Sequence, residues 1–237
     1  ALADQLGLKL ELVDVAGNAS SALADGDVDI VMSQTSTEKS STMWVSDPYI
    51  ETGVALFASN GSTTVPESVQ TSSIAAQSSS TSAWAVQNAF GDDALNPASD
   101  LVSAFSLVET GKSQYVAADA VIGSYAALVQ SVDVQPIALL GSKGGYCIGV
   151  DSNNQELQKA ISAALTAVRG NGVFDAVCTK WLGSPMNLDV LSTIEVSSSK
   201  SVSAGDDSDE KSAEGGSAET ASSSTAGANA VQPGSTR

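Results

Sequence analysis

Two features of the sequence, one hydroxyl-rich and one acidic, could each bind a charged group. The first is the run 77–81, Gln-Ser-Ser-Ser-Thr, which opens a predicted helix. Backbone N–H groups and hydroxyls at a helix start converge on one spot, and the helix dipole favours an anion there. The alternative is ordinary capping of that helix by Ser80 or Thr81. Together with Ser79, these two residues are therefore candidate ligands for a carboxylate.

Asp119 is the candidate partner for an ammonium group. It directly follows the apolar run 115–118, and an α/β sheet presents the residues at the carboxyl ends of its strands outside the packed core. The competing interpretation is a capping aspartate for the helix that follows. Both interpretations remain open from the residues alone.

A third polar segment occupies the same topological position after another predicted strand, at 28–32. Ser33, Gln34 and Ser36 follow it, and Lys39 is the nearest cation. These four residues are candidate ligand-binding residues, and the alternative for them is a solvated loop.

Composition excludes several functional classes. The net charge is −17, from 27 acidic and 10 basic residues, which disfavours nucleic acids and anionic membranes as partners because both are bound through basic patches. The absence of histidine removes the usual base of serine and cysteine triads and the commonest zinc ligand. The two cysteines, Cys147 and Cys178, have no metal or redox spacing, which leaves a disulfide or two buried thiols.

The elements that would position these residues alternate between strand and helix. Residues 8–15 alternate apolar and polar side chains and predict a strand, 18–24 predict a helix, and 28–32 predict a parallel strand. The same alternation continues through most of the chain and predicts an α/β fold. The sequence contains no run of about 18 apolar residues, so it predicts no membrane-spanning helix.

The sequence leads to a separate prediction for each end of the chain. The chain begins with the tail of a helix and without Met, so we expect residues before Ala1, including any export signal, to be missing. Residues 197–237 consist mainly of Ser, Ala, Gly, Thr and acidic residues, and we expect this tail to be disordered.

Three stretches, in order, resemble the family-3 bacterial extracellular solute-binding proteins. They are LADGDVDIVMSQTSTEKSSTMWVSDPYIETGVALF at 23–57, VETGKSQYVAADAVIGSYAAL at 108–128, and the stretch from GYCIGV to KWLG at 145–183. The last stretch is the most specific of the three. The resemblance covers roughly residues 1–183.

The resemblance implies a two-lobed α/β fold, the periplasmic-binding-protein-like fold of type II, with the ligand cleft between the lobes. Its first lobe would comprise residues 1–53, with its N-terminus missing, and 147–196. The second lobe would comprise residues 54–146, and the tail 197–237 would follow. Hinge closure is the switching mode of such proteins.

The resemblance also implies roles for the candidate residues. Ser79, Ser80 and Thr81 correspond to the family's carboxylate-binding turn, Asp119 to its ammonium-binding aspartate, and Lys39 to an arginine that grips the carboxylate. A lysine lacks the bidentate fork of arginine. The position of a second family aspartate holds Gln114. Cys147 and Cys178 would fall in one lobe, where a disulfide is possible in an exported protein.

The function that this resemblance implies is non-enzymatic binding of a small solute, expected to be an amino acid, and its delivery to an ABC transporter permease. The protein would be a monomer outside the cytoplasm, in the periplasm or on the cell surface, where a lipid on the missing N-terminus could anchor it. It would use no cofactor and bind no nucleic acid. The alternative is a degenerate or receptor-type sensor domain of the same fold, and a less favoured one is an enzyme built on it.

Overall fold

The structure, a computed structural model, describes residues 1–15, 18–59, 61–62 and 64–196. The described part is a mixed α/β chain whose strands form two sheets. The helices are α1 Leu2–Gln5, α2 Ala19–Ala24, α3 Thr81–Phe90, α4 Leu101–Glu109, α5 Ala120–Gln130, α6 Gln155–Gly170 and α7 Val173–Leu182. The strands are β1 Ile30–Gln34, β2 Met43–Val45, β3 Ile50–Thr52, β4 Val54–Ser59, β5 Ile74–Gln77, β6 Leu95–Ala98, β7 Tyr115–Asp119, β8 Val134–Leu140, β9 Gly144–Asp151 and β10 Ser192–Ile194.

The first sheet is organised around β9, which pairs antiparallel with β1, β2 and β3. Gly149 of β9 lies so close to its neighbours that a Cβ atom there would stand 2.7 Å from the side chains of Met43 and Val31. Helix α6 covers this sheet, because its apolar positions Ile161 and Leu165 pack in one buried cluster with residues of β9. The helical spacing of the sequence therefore corresponds to a buried helix face.

The second sheet has the strand order β10-β8-β4-β7-β5-β6. It is mixed: β5 runs parallel to β6 and β7, whereas β4 runs antiparallel to β7 and β8. Successive residues of β4 enter opposite cores, with Phe57 on one face and Leu56 on the other. Phe57 meets Phe105 of α4 edge to face, with ring centroids 5.9 Å apart. Both faces of this sheet are thus covered by helices.

The chain passes between the two sheets at three places. It passes from β3 to β4 at Gly53, from β8 to β9 through residues 141–143, and from α7 to β10 through residues 183–191. Lys143, in the second passage, forms ion pairs with Glu51, near the first passage, and with Asp189, in the third passage. This arrangement of two α/β lobes matches the predicted type II fold.

The structure corrects the prediction of a strand at residues 8–15. These residues are irregular, and all but the half-buried Val15 are exposed, with Leu8, Leu10 and Leu12 each more than half accessible to solvent. Alternation predicts a strand only where a second strand supplies hydrogen bonds, and among the described residues none pairs with this segment. The prediction of a parallel β-α-β unit in this part of the chain is therefore wrong.

The lobe limits 1–53, 54–146 and 147–196 stay a prediction. The short strand β10 lies inside the last of these ranges and pairs with β8 of the second sheet. The tail 197–237, expected to be disordered, lies outside the described residues. Within the described part, no helix is long and apolar enough to cross a membrane.

Candidate ligand-binding cleft

Asp119 lies at the end of the buried strand β7 and begins α5. Its Oδ1 accepts hydrogen bonds of 3.0 Å from the main-chain N–H groups of Val121 and Ile122. Its Oδ2 accepts a 2.8 Å bond from the hydroxyl of Thr52. The capping role considered from the sequence is thus present, and it fixes the carboxylate at the junction of β3, β7 and α5.

Tyr146 completes the surroundings of this carboxylate. Burial raises the pKa of its phenol well above the ordinary value of 10.0, and the charge of Asp119, a hydrogen bond to Asp119 and the neighbouring Tyr49 raise it further. The Tyr146 phenol therefore stays protonated at neutral pH, next to the Asp119 carboxylate. The pairing of β3 with β9, in which Tyr146 lies opposite Ile50, places it there.

The hydroxyl turn 78–81 lies at the end of β5. Because β5 and β7 are parallel neighbours, this turn and Asp119 project from the same edge of the second sheet. Ser80 caps α3, since its Oγ accepts a 3.1 Å hydrogen bond from the N–H of Ala83. Ser79 has a left-handed backbone, with φ of 57°, and Ser79 and Thr81 are exposed.

The segment after β1 is more irregular than the sequence indicates. Ser33 has φ of 63° where the pairing of β1 with β9 changes register, and its Oγ lies 3.3 Å from the Tyr49 hydroxyl. Gln34 donates a 3.1 Å hydrogen bond to the carbonyl of Met32. These contacts fix Ser33 next to Tyr49.

Residues 36–38 form a short 3-10 turn, and its N-terminus is closed by a reciprocal capping box between Thr35 and Glu38. Ser36 opens this turn and Lys39 follows it, and both are exposed. Lys39 forms no ion pair with any other described residue. Its ammonium is therefore available, but the structure gives it no fixed position.

A cavity of about 520 Å³ opens beside Asp119. The first turn of α5 contributes Val121 and Ile122 to its wall, and the first sheet and its loops contribute Ser33, Tyr49, Ile50 and Tyr146. Helix α7 contributes the rest of the wall, namely Phe174, Val177, Cys178, Trp181 and Leu182. The cavity therefore brings Ser33 and the first turn of α5 together. The other predicted site residues lie outside its lining, namely Asp119 itself, Gln34, Ser36, Lys39 and the turn 79–81.

Cys147 and Cys178, for which the resemblance allows a disulfide, are both free thiols in the structure. Each is buried, and burial raises the pKa of each thiol. Cys147 lies on β9 and Cys178 on α7. Within the described residues, no cluster of side chains suited to a metal ion is present.

Tyr49, Thr52 and Tyr146 lie near the candidate site but are not among the residues that the sequence singles out. Tyr49 does pack beside the buried cluster of the first sheet, but its hydroxyl also faces Ser33. No local signal marks Thr52 or Tyr146, because both reach Asp119 through pairings between distant strands. The sequence SDPYIET, which contains Tyr49 and Thr52, was part of the recognised motif.

These features define a two-lobed binding protein with the type II periplasmic-binding-protein fold. The family model of bacterial extracellular solute-binding proteins, family 3, matches residues 1–184, and the chain belongs to this family. No match is found among curated proteins.

Solved structures give the same fold at low sequence identity. An ancestral cationic amino acid solute-binding protein is similar with a TM-score of 0.65 and 22% identity, over 76% of this chain and 81% of that one. The L-cystine solute receptor of Neisseria gonorrhoeae, in its unliganded open conformation, has a TM-score of 0.65 and 20% identity, over 78% and 80%. The second substrate-binding domain of a putative amino acid ABC transporter from Streptococcus pneumoniae has a TM-score of 0.63 and 21% identity, over 76% and 85%.

Proposed function

We propose that this protein binds an amino acid, or a similar small zwitterion, between its lobes outside the cytoplasm and delivers it to an ABC transporter. The observation that carries the proposal is the placement of Asp119 and the hydroxyl turn 79–81 on one edge of the second sheet. One group suits an ammonium and the other suits a carboxylate. The family and the amino-acid-binding proteins of the same fold support this assignment.

The carboxylate end of the ligand would bind at the N-terminus of α3. Ser79 and Thr81 expose their hydroxyls there, and the first N–H groups of the helix carry a partial positive charge. Lys39 would supply the balancing cation from the opposite lobe, in the position of the family's arginine. An ammonium group is a point charge, so it would add attraction with less geometric selection than arginine.

The ammonium end would bind at Asp119. A carboxylate offers about four acceptor positions, and three of those of Asp119 already receive the N–H groups of Val121 and Ile122 and the hydroxyl of Thr52. A ligand ammonium would take the remaining position or replace the Thr52 hydroxyl. Either change would couple ligand binding to the end of β3, the strand that leads into the first passage between the sheets.

The role that follows is non-enzymatic. Binding to one lobe would be completed by closure of the other, and the closed form would be the state that a permease recognises. We expect the protein to act as a monomer, with the permease and the small solute as its partners.

A second candidate is a receptor-type or degenerate domain that does not transport amino acids. Two points favour it: the resemblance puts Lys39 where the family has an arginine, and three groups of the protein already donate to the Asp119 carboxylate. In this case the Asp119 network would be purely structural. The two candidates differ in whether the protein responds to free amino acids.

Calorimetric titration of the full 237-residue chain with each common amino acid distinguishes these candidates. The amino-acid-binding candidate predicts saturable binding of at least one amino acid. If no amino acid gives a heat of binding, that candidate is rejected and the receptor-type or degenerate domain is favoured. Asp119→Asn keeps a good helix cap but removes the charge, so it should weaken binding at least about tenfold. Asp133→Asn, at an exposed position in the loop before β8, is the matched control and should bind as the wild type does.

A further inference from the structure

The cavity adjoins the proposed ammonium site at Asp119. Val121 and Ile122 line the cavity, and the N–H groups of the same two residues donate to Oδ1 of Asp119. In an amino acid the ammonium and the side chain are attached to the same carbon atom. A ligand whose ammonium is at Asp119 can therefore direct its side chain into this cavity.

The wall of the cavity is mainly apolar. Helix α7 contributes Phe174, Val177 and Trp181, and no charged side chain is among the residues that line the cavity. Trp181 is 51% exposed and Val177 is 42% exposed, so much of this apolar surface faces water. A ligand side chain that displaces this water gains free energy if it is apolar itself.

The hydroxyls in the lining are few and lie close to other polar groups of the protein. The hydroxyls of Ser33 and Tyr49 lie 3.3 Å from each other, and Tyr146 lies next to Asp119. A charged or amide side chain entering the cavity would lose its hydration and gain few hydrogen bonds in return. The cavity therefore disfavours polar side chains as well as favouring apolar ones.

The size and the aromatic wall suit a large side chain. The volume of about 520 Å³ lies within the range of about 300–1,000 Å³ that is typical of small-molecule sites. The Trp181 ring is held by Tyr125, at 6.5 Å between centroids, and by the Lys180 ammonium, 5.1 Å from its centroid. A positioned indole offers an aromatic ligand edge-to-face or offset contact.

We propose that this cavity makes the protein selective for amino acids with large apolar side chains, such as leucine, methionine, phenylalanine and tryptophan. The inference rests on the proposed function, because it requires the ligand ammonium to be at Asp119. It adds the class of side chain, which the ammonium and carboxylate sites do not specify.

Calorimetric titration of the full chain with phenylalanine, leucine, glutamine, glutamate and lysine tests the selectivity. Phenylalanine or leucine should bind at least about tenfold more tightly than the three polar amino acids, a ratio within the range that apolar pockets achieve. Tighter binding of a polar amino acid would overturn the selectivity and leave the proposed function standing. If neither these five nor the remaining amino acids bind detectably, both the selectivity and the proposed function are overturned.

Paired variants locate the selectivity in the cavity. Val177→Asp should weaken phenylalanine binding at least about tenfold and shift the preference towards lysine, because it places an uncompensated charge in the apolar wall. Val102→Asp makes the same change on the exposed face of α4, outside the cavity, and should leave binding unchanged. Wild-type phenylalanine affinity in Val177→Asp would contradict the proposal.

A third variant covers the possibility that Val177→Asp unfolds, which its thermal transition would show. Val177→Thr keeps the shape of valine and replaces one methyl group with a hydroxyl, which introduces no charge at this 42% exposed position. It should still weaken phenylalanine binding several-fold. Unchanged binding in a folded Val177→Thr protein would count against the cavity as the side-chain site.

Discussion

The Thr52 hydroxyl donates a 2.8 Å hydrogen bond to the carboxylate of Asp119, a residue 67 positions later in the chain. The contact joins the end of β3, in the first sheet, to the end of β7, in the second. The same Thr52 oxygen accepts a 3.3 Å bond from the N–H of Val121. The first passage between the sheets is therefore fastened to the candidate ammonium site.

Thr52→Val should lower the free energy of unfolding by about 1.5 kcal/mol, because it leaves one side of a partly buried carboxylate without its donor. Urea unfolding monitored by circular dichroism measures the change. Thr166→Val, which removes an exposed hydroxyl bonded to the carbonyl of Ser162, is the control and should change stability by less than about 0.5 kcal/mol. Equal losses in the two variants would contradict a special role for Thr52.

Tyr146 should make stability decrease in alkaline solution. Its pKa is higher in the folded protein than the ordinary value of 10.0, so its contribution is complete below about pH 10 and is lost as the pH rises above it. Above that value the unfolded chain has released this proton while the folded chain still holds it, which favours unfolding.

The measurement for this prediction is urea unfolding of the wild type and Tyr146→Phe between pH 8 and pH 11, a range of about one unit above and two below the ordinary tyrosine pKa. The variant should lose less stability than the wild type over the alkaline part of this range. Tyr125→Phe is the control for removing an exposed phenol. Parallel curves for wild type and Tyr146→Phe would refute the prediction.

Ser79→Gly should stabilise the protein. Ser79 has φ of 57°, a left-handed conformation that costs a residue with a Cβ roughly 1 kcal/mol relative to glycine. The gain should be of that order, reduced by the greater freedom of glycine in the unfolded chain. Thermal unfolding of Ser79→Gly and Ser79→Val measures it: we expect the transition to rise in the first and fall in the second. The opposite order would show that the turn does not require this conformation.

The cysteines should react slowly in the folded protein. Cys147 and Cys178 are buried free thiols with raised pKa values, and the thiolate is the reactive form. Labelling with a thiol reagent at pH 8 should be at least about tenfold faster in denaturant than in buffer. Intact mass without reductant is the check, because the mass of a disulfide form would contradict the free thiols.

Local patterns in the sequence were sufficient to find the polar groups at strand ends. Asp119 and the turn 79–81 stand directly after apolar runs, and strand-end position is a property of contiguous residues. Thr52 and Tyr146 could not be found in this way. Their approach to Asp119 depends on the pairing of β4 with β7 and of β3 with β9, which joins residues far apart in sequence.

The cavity was equally inaccessible to sequence reasoning. The apolar residues of α7, such as Val177 and Trp181, have the spacing of an ordinary core-facing helix, and periodicity does not distinguish a buried face from a cavity wall. The difference arises from what packs against the helix. Here α7 faces α5 and the first sheet across the cavity.

The irregular segment 8–15 differs from the first sheet in how its main chain is protected. The amides of residues 9–13 find no hydrogen-bond acceptor among the described residues, whereas β9 is paired with β1, β2 and β3. In deuterated buffer these amides should exchange almost as fast as those of an unfolded peptide, while the amides of β9 should require opening of the whole sheet. Two segments of one lobe would then label on timescales that differ by orders of magnitude.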